Sequence, residues 1–275
     1  MFKFNNVHIY RNHSNNLDFL FIMSELHKFF PTISIDIRNP FLNNMDNIFT
    51  DSLLSARIYD IKKPYHEQQQ RKMMGTFDKS VNYDGNTARQ CEELILYDAF
   101  LMQRLLGTII NDIELTRDHV HLVFEDRLIC TFSEEDWRYH ARTFVGGNPS
   151  IISTTGIIEA PAKPKEWYIK QMQLAIYDID DEGDHSDGKS SSNVKNYLDY
   201  GDYRINFAAV GCALQALFFF ILEGDPFCRD INCRLYNAHW QEELITSQIQ
   251  NQKLCNEHMA LLNQFNKYTN DGNNK

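Results

Sequence analysis

The chain has 275 residues, of which 43% are hydrophobic and 13% aromatic, so it can bury a sizeable core and is not intrinsically disordered as a whole. Its 27 Lys and Arg stand against 37 Asp and Glu, a formal net charge of -10, which argues against a sequence-independent nucleic-acid binder. Six cysteines are too few for a disulfide scaffold, and the first residues contain no apolar stretch of signal-peptide length. We therefore expect a cytoplasmic protein with reduced thiols.

The first 110 residues alternate strand-like and helix-like segments, which indicates an α/β fold. Alternating or β-branched stretches predict strands at 7–10, 33–37 and 56–59. Apolar residues at helical spacing predict helices at 17–29, 46–55 and 89–109. The polar stretch 62–86 is typical of a long surface excursion.

The middle of the chain continues the predicted sheet. Segment 119–132 reads as two strands joined by a tight turn at 125–127, and further strands are expected at 141–145 and 150–158. A helix is expected at 165–177. The acidic, Ser- and Gly-rich segment 178–193 cannot bury enough apolar surface to order itself, so we predict a flexible loop.

The most apolar segment is 207–222, sixteen residues interrupted by Gln215, which is shorter than the roughly 20 residues that a bilayer span requires. It predicts a buried helix at 203–222 packed between the sheet and a cysteine-containing loop. Its alanines and Gly211 would allow close backbone approach, and its Phe218–Phe220 run would supply core contacts. Short helices at 239–249 and 254–266 and a frayed tail from 269 complete the expected elements.

Four metal-ligating residues cluster near the C-terminal end in the pattern C-x4-C-x21-C-x2-H, formed by Cys228, Cys233, Cys255 and His258. Thiolate and imidazole in a closed tetrahedron are what Zn²⁺ prefers, and such sites stabilise loops that lack a core of their own. The sequence predicts one structural Zn²⁺ site, with Arg229, Arg234 or backbone amides around it. The alternative is three buried thiols and an exposed histidine.

Three parts of the chain together resemble the C-terminal half of the archaemetzincin metallopeptidases: helix 203–222, the segment EGDPFCRDINCRLYNAHWQEEL and the string LCNEH. The chain is also similar to the sequences of an uncharacterised archaeal branch assigned to the metallopeptidases, in the strings RYHAR, ISTTGIIEAPAKP and CRLYNAHWQEE. The resemblance implies a single metzincin-like domain over 1–275, with a mixed sheet and a zinc-stabilised subdomain at 224–266. It pairs Cys228 and Cys233, and then Cys255 and His258, as structural zinc ligands, and matches Arg204 to a basic residue ahead of the helix.

The catalytic motif of that family, H-E-x-x-H-x-x-G-x-x-H, is absent from this chain. Aligning the helix with the motif puts Gly211 and Cys212 in place of the first His and the catalytic Glu. Gln215 replaces the second His, Ile221 falls near the third, and Leu235 replaces the Met of the family's turn. Because two His at i and i+4 and a Glu base bind and activate water in this chemistry, the usual zinc-peptidase mechanism is not expected.

Other polar residues offer weaker catalytic candidates. His119 and His121 point to one strand face, and His140, Glu159 and His239 lie near predicted element ends. Several further polar side chains fall in segments that otherwise look like core strands or the cysteine loop; they are Asp126, Arg127, Arg138, Arg142, Arg234, Asn237 and Glu242. We interpret that set as a buried network of paired charges. Ser153–Gly156 could form an anion-binding nest, although such residues are usual at strand ends.

Three functions compete at this stage. The first is a zinc-stabilised, non-catalytic relative of metallopeptidases that acts as a binding or regulatory module for a protein or peptide. The second is an active hydrolase with a rebuilt site around His140, Glu159 and His239. The third is a membrane-attached protein that uses helix 203–222, although the composition favours a chain with neither a membrane nor a nucleic-acid partner.

Overall fold

A computed structural model describes residues 3–14, 16–40, 52–68, 94–110, 112–177 and 195–272. Within these residues the protein is a mixed α/β fold with two mixed sheets and helices packed on them. The expected α/β class is therefore confirmed. The predicted helix 46–55, most of the excursion 62–86 and the loop 178–193 lie largely or wholly outside the described residues.

The first sheet contains five strands in the order β2-β1-β5-β9-β8. Its strands are β1 (Asn6–Tyr10), β2 (Ser34–Arg38), β5 (His119–Glu125), β8 (Phe144–Val145) and β9 (Ser150–Ser153). All neighbours are parallel except the edge strand β8, which runs antiparallel to β9. The second sheet, in the order β3-β4-β6-β7, contains β3 (Arg57–Ile58), β4 (Leu96–Asp98), β6 (Leu128–Ser133) and β7 (Arg138–Ala141).

Residues 52–54 are helical, and seven further helices lie in the described segments. They are α1 (Phe19–Phe29), α2 (Ala99–Gly107), α3 (Thr154–Glu159), α4 (Lys165–Tyr177), α5 (Ile205–Leu222), α6 (Gln241–Leu244) and α7 (Asn256–Gly272). A π-helical segment, Ile245–Asn251, follows α6 directly, and short 3₁₀ turns occur at Tyr65–Glu67 and Asp112–Glu114. The Asp18 carboxylate accepts the Phe21 amide proton and so starts α1 as an N-cap.

The two faces of the five-stranded sheet bury different side chains. Val7 and Ile9 of β1, together with Leu122 of β5, belong to the main core beneath α1 and α5. Tyr10 and Val123 point to the opposite face, where they pack with the apolar side of α2 in a smaller core. This alternation follows from the two-residue period of a strand, and it places the polar residues His8 and His121 on the α2 side.

Helix α5 is the central element of the main core, as predicted. Nearly all of its residues are buried, including Phe218 and the small residues on either side of Gly211. It is also the one helix of the described residues that is long and apolar enough to cross a membrane, with a mean hydropathy of 2.1. Because 78% of it is buried inside the protein, its composition is explained by core packing.

The strand predicted at 141–145 is divided between the end of β7 in the second sheet and β8 in the first. Four other predicted elements differ from the structure. The expected helix 89–109 contains strand β4, and the helix starts only at Ala99, because the Asp98 carboxylate caps it at the Leu101 amide. Strands β5 and β6 do not pair with each other, since β5 is already flanked by β1 and β9. The tail is helical to Gly272 in α7, with Thr269 buried and its hydroxyl 2.9 Å from that of Thr32.

The fourth difference is at 154–158, where the predicted strand is helix α3. The Ser153 hydroxyl accepts the Gly156 amide proton at 2.7 Å and so ends β9 and begins the helix. The Thr155 hydroxyl donates to the Asp126 carbonyl, which turns this segment towards the loop after β5. Side-chain capping therefore outweighs the strand preference of the two threonines and two isoleucines.

The loops after β1 and β5 meet at the carboxyl ends of these adjacent parallel strands, where open α/β sheets commonly bind ligands. Here the Asp126 carboxylate fills the space. Its Oδ1 accepts from Asn12 Nδ2, Ser14 Oγ and Thr154 Oγ1 at 2.6, 2.8 and 3.0 Å. Its Oδ2 accepts the amide protons of His13 and Ser14 at 3.0 and 2.9 Å. Of the predicted nest at Ser153–Gly156, the Thr154 hydroxyl binds this carboxylate, and the Ser153 and Thr155 hydroxyls donate to backbone carbonyls of Arg127 and Asp126.

Gly156 is a position where a side chain has no room. A Cβ added there would lie 2.1 Å from the Arg142 carbonyl oxygen, a backbone atom that cannot rotate away. We expect Gly156→Ala to lower the free energy of unfolding by about 1–3 kcal/mol, the usual cost of overpacking. Gly224→Ala is the matched control, because a Cβ there meets nothing within 4 Å. Chemical denaturation of both variants checks this, and equal stability of the two would contradict it.

Candidate metal centre and the α5 helix

The structure brings together the four residues of the C-terminal pattern, Cys228, Cys233, Cys255 and His258. One donor atom from each lies within 4.8 Å of all the others, so the group can hold a metal ion. Cys228 Sγ is 3.9 Å from Cys255 Sγ, and His258 Nδ1 is 3.8 and 3.0 Å from the sulfurs of Cys233 and Cys255. A tetrahedral zinc with metal–sulfur bonds of about 2.3 Å requires donor separations of about 3.5 to 3.8 Å. The separations of 3.9 and 3.8 Å are close to that requirement, and the 3.0 Å between Cys255 Sγ and His258 Nδ1 would lengthen by about 0.5 Å on zinc binding.

Backbone hydrogen bonds hold the two pairs of ligands in place. The Cys228 amide donates to the Leu235 carbonyl at 2.9 Å and folds the first pair into a tight loop. The Arg234 amide donates to the Lys253 carbonyl at 2.7 Å, which ties this loop to the segment before α7. Cys255 immediately precedes α7 and His258 lies in its first turn. The spacing C-x2-H therefore aims both side chains at one point.

The sulfur atoms receive hydrogen bonds from backbone amides. The amides of Asp230 and Cys255 donate to Cys228 Sγ and Cys233 Sγ, each at 3.4 Å. Backbone amides are among the partners expected around the site from the sequence, and these two donate to its sulfur atoms. Arg234 instead lies against α5, where its guanidinium donates to the Phe207 carbonyl at 2.8 Å. Amide donors of this kind stabilise thiolates and orient them towards a metal.

Burial disfavours the ionised, thiolate form of Cys228 and Cys233 when no cation lies among the four side chains. It raises the pKa of Cys228, and raises that of Cys233 to about 12. Burial also lowers the pKa of His258, which keeps the imidazole neutral as a ligand must be. A dication reverses this preference for the thiols, because a coordinating thiol is deprotonated by the charge of the metal. The site therefore favours metal binding over three isolated thiolates.

The cluster lies between the core and the surface. Cys233 is fully buried, and the Phe218 ring of α5 contacts the His258 ring edge-on with centroids 5.8 Å apart. Cys228 and Cys255 are half-buried and line a surface depression together with Arg229 and Asp230. The depression gives an ion a path from solvent, and the contact with Phe218 couples the ligand loop to α5.

The α5 positions aligned with the H-E-x-x-H motif do not form a metal site. Gly211 lies against the Gln248 side chain so closely that a Cβ would be 1.7 Å from Gln248 Oε1. Gln215 Nε2 donates to the Tyr236 carbonyl at 3.0 Å. Cys212 is buried, and burial raises the pKa of its thiol to about 12, so the thiol is neutral and not a base. It belongs to no group of metal-ligating side chains among the described residues. The π-helical segment that carries Gln248 fills the space beside the helix.

The candidates for a rebuilt hydrolase site are each bound to different neighbours. His140 Nε2 contacts the Asp136 carboxylate at 2.8 Å, and Glu159 forms an ion pair with Lys163 at 3.1 Å. The His239 amide donates to Glu243 Oε2 at 2.8 Å. No recorded contact among the described residues joins any two of His140, Glu159 and His239. The structure thus provides no common centre for these three side chains.

The larger polar set is not one buried network. Only Arg234 is fully buried, with 1% of its surface exposed and no carboxylate partner in the described contacts. Arg127 pairs with Glu125 at 2.8 Å. The others are partly or well exposed: Asp126, Arg138, Arg142, Asn237 and Glu242. The predicted network is therefore wrong: Arg138 pairs with Asp136, and the Arg142 guanidinium donates to the Thr131 hydroxyl, so these contacts are local.

Together the fold and the Cys/His cluster define a mixed α/β protein with a group of side chains that could hold a metal ion. The chain matches the Probable metallopeptidase family (DUF6775) over residues 3–265 and belongs to that family. Searches of curated proteins and of solved structures gave no match. Family membership thus agrees with the resemblance to metallopeptidases at the level of the class.

Proposed function

We propose that this protein is a non-catalytic relative of the zinc metallopeptidases, most similar to the archaemetzincins, with one structural zinc ion. Cys228, Cys233, Cys255 and His258 hold the ion, and all four coordination positions are filled by protein. No position remains for a water molecule, so this zinc stabilises the fold and does not activate a nucleophile. The reduced thiols that it requires suit a cytoplasmic protein.

The filled space beside α5 is the observation that carries this proposal. A metzincin-type peptidase needs two helix imidazoles, a carboxylate base and an open groove in front of them. Gly211 instead packs against Gln248, and the Gln215 amide is used by the Tyr236 carbonyl. A polar side chain and a backbone group thus occupy the place where a catalytic ion and its water would have to lie.

The retained fold then serves binding or regulation, with a protein or peptide as partner. Helix α4 supports this role, because Tyr168, Ile169 and Met172 are exposed on it as far as the described residues extend. Exposed apolar side chains in a contiguous stretch are typical of interaction surfaces.

A protease assay tests the absence of catalysis. Purified protein, incubated with casein and with a mixed peptide library, is expected to show no cleavage that a chelator suppresses. Chelator-sensitive cleavage that is lost in His140→Ala or His239→Ala but survives Cys255→Ser would contradict the proposal. It would favour the alternative, an active hydrolase with a rebuilt site around His140, Glu159 and His239.

A further inference from the structure

A second group of possible metal ligands lies on the α2 side of the five-stranded sheet. His8 of β1 is paired in register with Asp36 of β2 and with His121 of β5, so the three side chains form a row across the same face. Glu114, in the turn before β5, lies beside this row. One donor atom each from His8, Glu114 and His121 lies within 4.8 Å of the others.

Each of these three side chains is oriented by a partner outside the group. His8 Nδ1 is hydrogen-bonded to the Asp36 carboxylate, which leaves the lone pair on Nε2. Glu114 accepts a two-pronged ion pair from the Arg38 guanidinium at 2.6 and 2.8 Å. The Glu114 carbonyl accepts the His121 Nε2 proton at 3.0 Å, which leaves the lone pair on Nδ1, 3.1 Å from Tyr10 Oη. Carboxylates, carbonyls and hydroxyls that fix the ligand rings from behind are a regular feature of protein metal sites.

The two imidazoles of the group are buried, and Glu114 is half-buried. His8 is 5% exposed and His121 is fully buried, and burial lowers the pKa of both imidazoles, so both are neutral at neutral pH. The Arg38 contact lowers the pKa of Glu114 to about 2, so Glu114 is ionised. Two neutral imidazoles and one carboxylate are a donor set for divalent transition metals and not for the oxygen-seeking ions Mg²⁺ and Ca²⁺.

The exposed edge of the group gives a route for an ion. The side chains of Asp36, Arg38 and Glu114 retain 46%, 29% and 27% of their surface, whereas the two imidazoles lie beneath them. His8 Nε2 is 2.8 Å from His119 Nδ1, and this hydrogen bond is the one that a metal bond to His8 would replace. A metal bond to His121 Nδ1 would replace its contact with the Tyr10 hydroxyl, so binding requires movement of the His119 and Tyr10 side chains.

We propose that His8, Glu114 and His121 form a second metal site, which binds a divalent transition metal ion such as Zn²⁺ or Co²⁺. It differs from the cysteine site in two ways: it contains no sulfur, and its three protein ligands leave a position for water. The inference does not depend on the proposed function, because it uses neither the C-terminal cluster nor α5.

Cobalt binding tests the site, because the two centres give different spectra. The full-length protein is treated with a chelator, its fold is checked by circular dichroism, and Co²⁺ is added in steps. Cobalt among thiolates produces sulfur-to-metal charge transfer in the near ultraviolet, whereas cobalt with imidazole and carboxylate shows only weaker visible bands. We expect both signatures in the wild type, and only the weaker visible bands in the double variant Cys228→Ser/Cys255→Ser.

Three variants isolate the second site. Glu114→Gln and His8→Asn are expected to weaken the thiolate-free cobalt site by at least about tenfold while the charge-transfer signal is retained. His66→Ala is the matched control, because it removes an exposed imidazole outside the group, and it should keep both signatures. A Cys228→Ser/Cys255→Ser spectrum without visible cobalt bands would overturn the second site, as would equal loss in His66→Ala. Absence of charge transfer from the wild-type spectrum would contradict the cysteine site.

Discussion

Replacing Cys255 with serine is expected to release the zinc ion and to lower the melting temperature by more than about 10 °C. A serine hydroxyl stays protonated and is a poor zinc ligand, and the binding energy of a structural zinc, about 10–16 kcal/mol, is also folding energy for the loop it closes. Cys255 lies between the ligand loop and α7, so the C-terminal quarter should lose its protection against proteolysis first. Elemental analysis and thermal unfolding of the variant check both effects.

Cys212→Ala is the control for this change, because it removes a buried thiol that is outside the ligand group. It should keep the zinc and lose only the small stability that one buried sulfur contributes. Adding a chelator to the wild type should reproduce the melting temperature of Cys255→Ser. Unchanged zinc content in Cys255→Ser would refute the assignment of this residue as a ligand.

Asp126→Ala is expected to lower the free energy of unfolding by about 3 kcal/mol or more, or the melting temperature by about 6 to 12 °C. The reason is that the carboxylate accepts five hydrogen bonds from the loop after β1 and from Thr154. Its removal leaves part-buried donors without an acceptor at the junction of β1, β5 and α3.

Asp136→Ala is the matched control, since this carboxylate is on the surface and contacts only His140 and Arg138 among its recorded ion pairs. Its melting temperature should be close to that of the wild type. Thermal unfolding of the two variants, monitored by circular dichroism, provides the comparison. If the two variants have the same stability, the carboxylate does not hold the loops together.

Local sequence patterns are sufficient to predict structural features whose residues lie close together in the chain. Cys228 and Cys233, or Cys255 and His258, are near enough in sequence for spacing alone to indicate a shared ligand, and the structure brings the two pairs together. Helix α5 was predicted from composition because it is buried on nearly all sides. Helix α4 was predicted with the same bounds as observed, Lys165–Tyr177.

Features that depend on strand register could not be predicted from spacing. His119 and His121 were recognised as sharing a strand face, but His8 is more than 100 residues away and meets His121 only through the pairing of β1 with β5. Glu114 joins them through the turn before β5. Helix α3 was missed because the Ser153 cap and the hydroxyl bonds to the loop after β5 outweigh strand propensity.

The central claim is that the metal lies among the cysteines and not on α5, and an anomalous-difference map from crystals, measured at the zinc absorption edge, locates the ion directly. The account predicts a peak at bonding distance from Cys228, Cys233, Cys255 and His258, with metal–sulfur distances of about 2.3 Å. It predicts no peak beside Gly211 or Gln215. A peak between α5 and Gln248, or the absence of one at the cysteine group in zinc-replete protein, would contradict it.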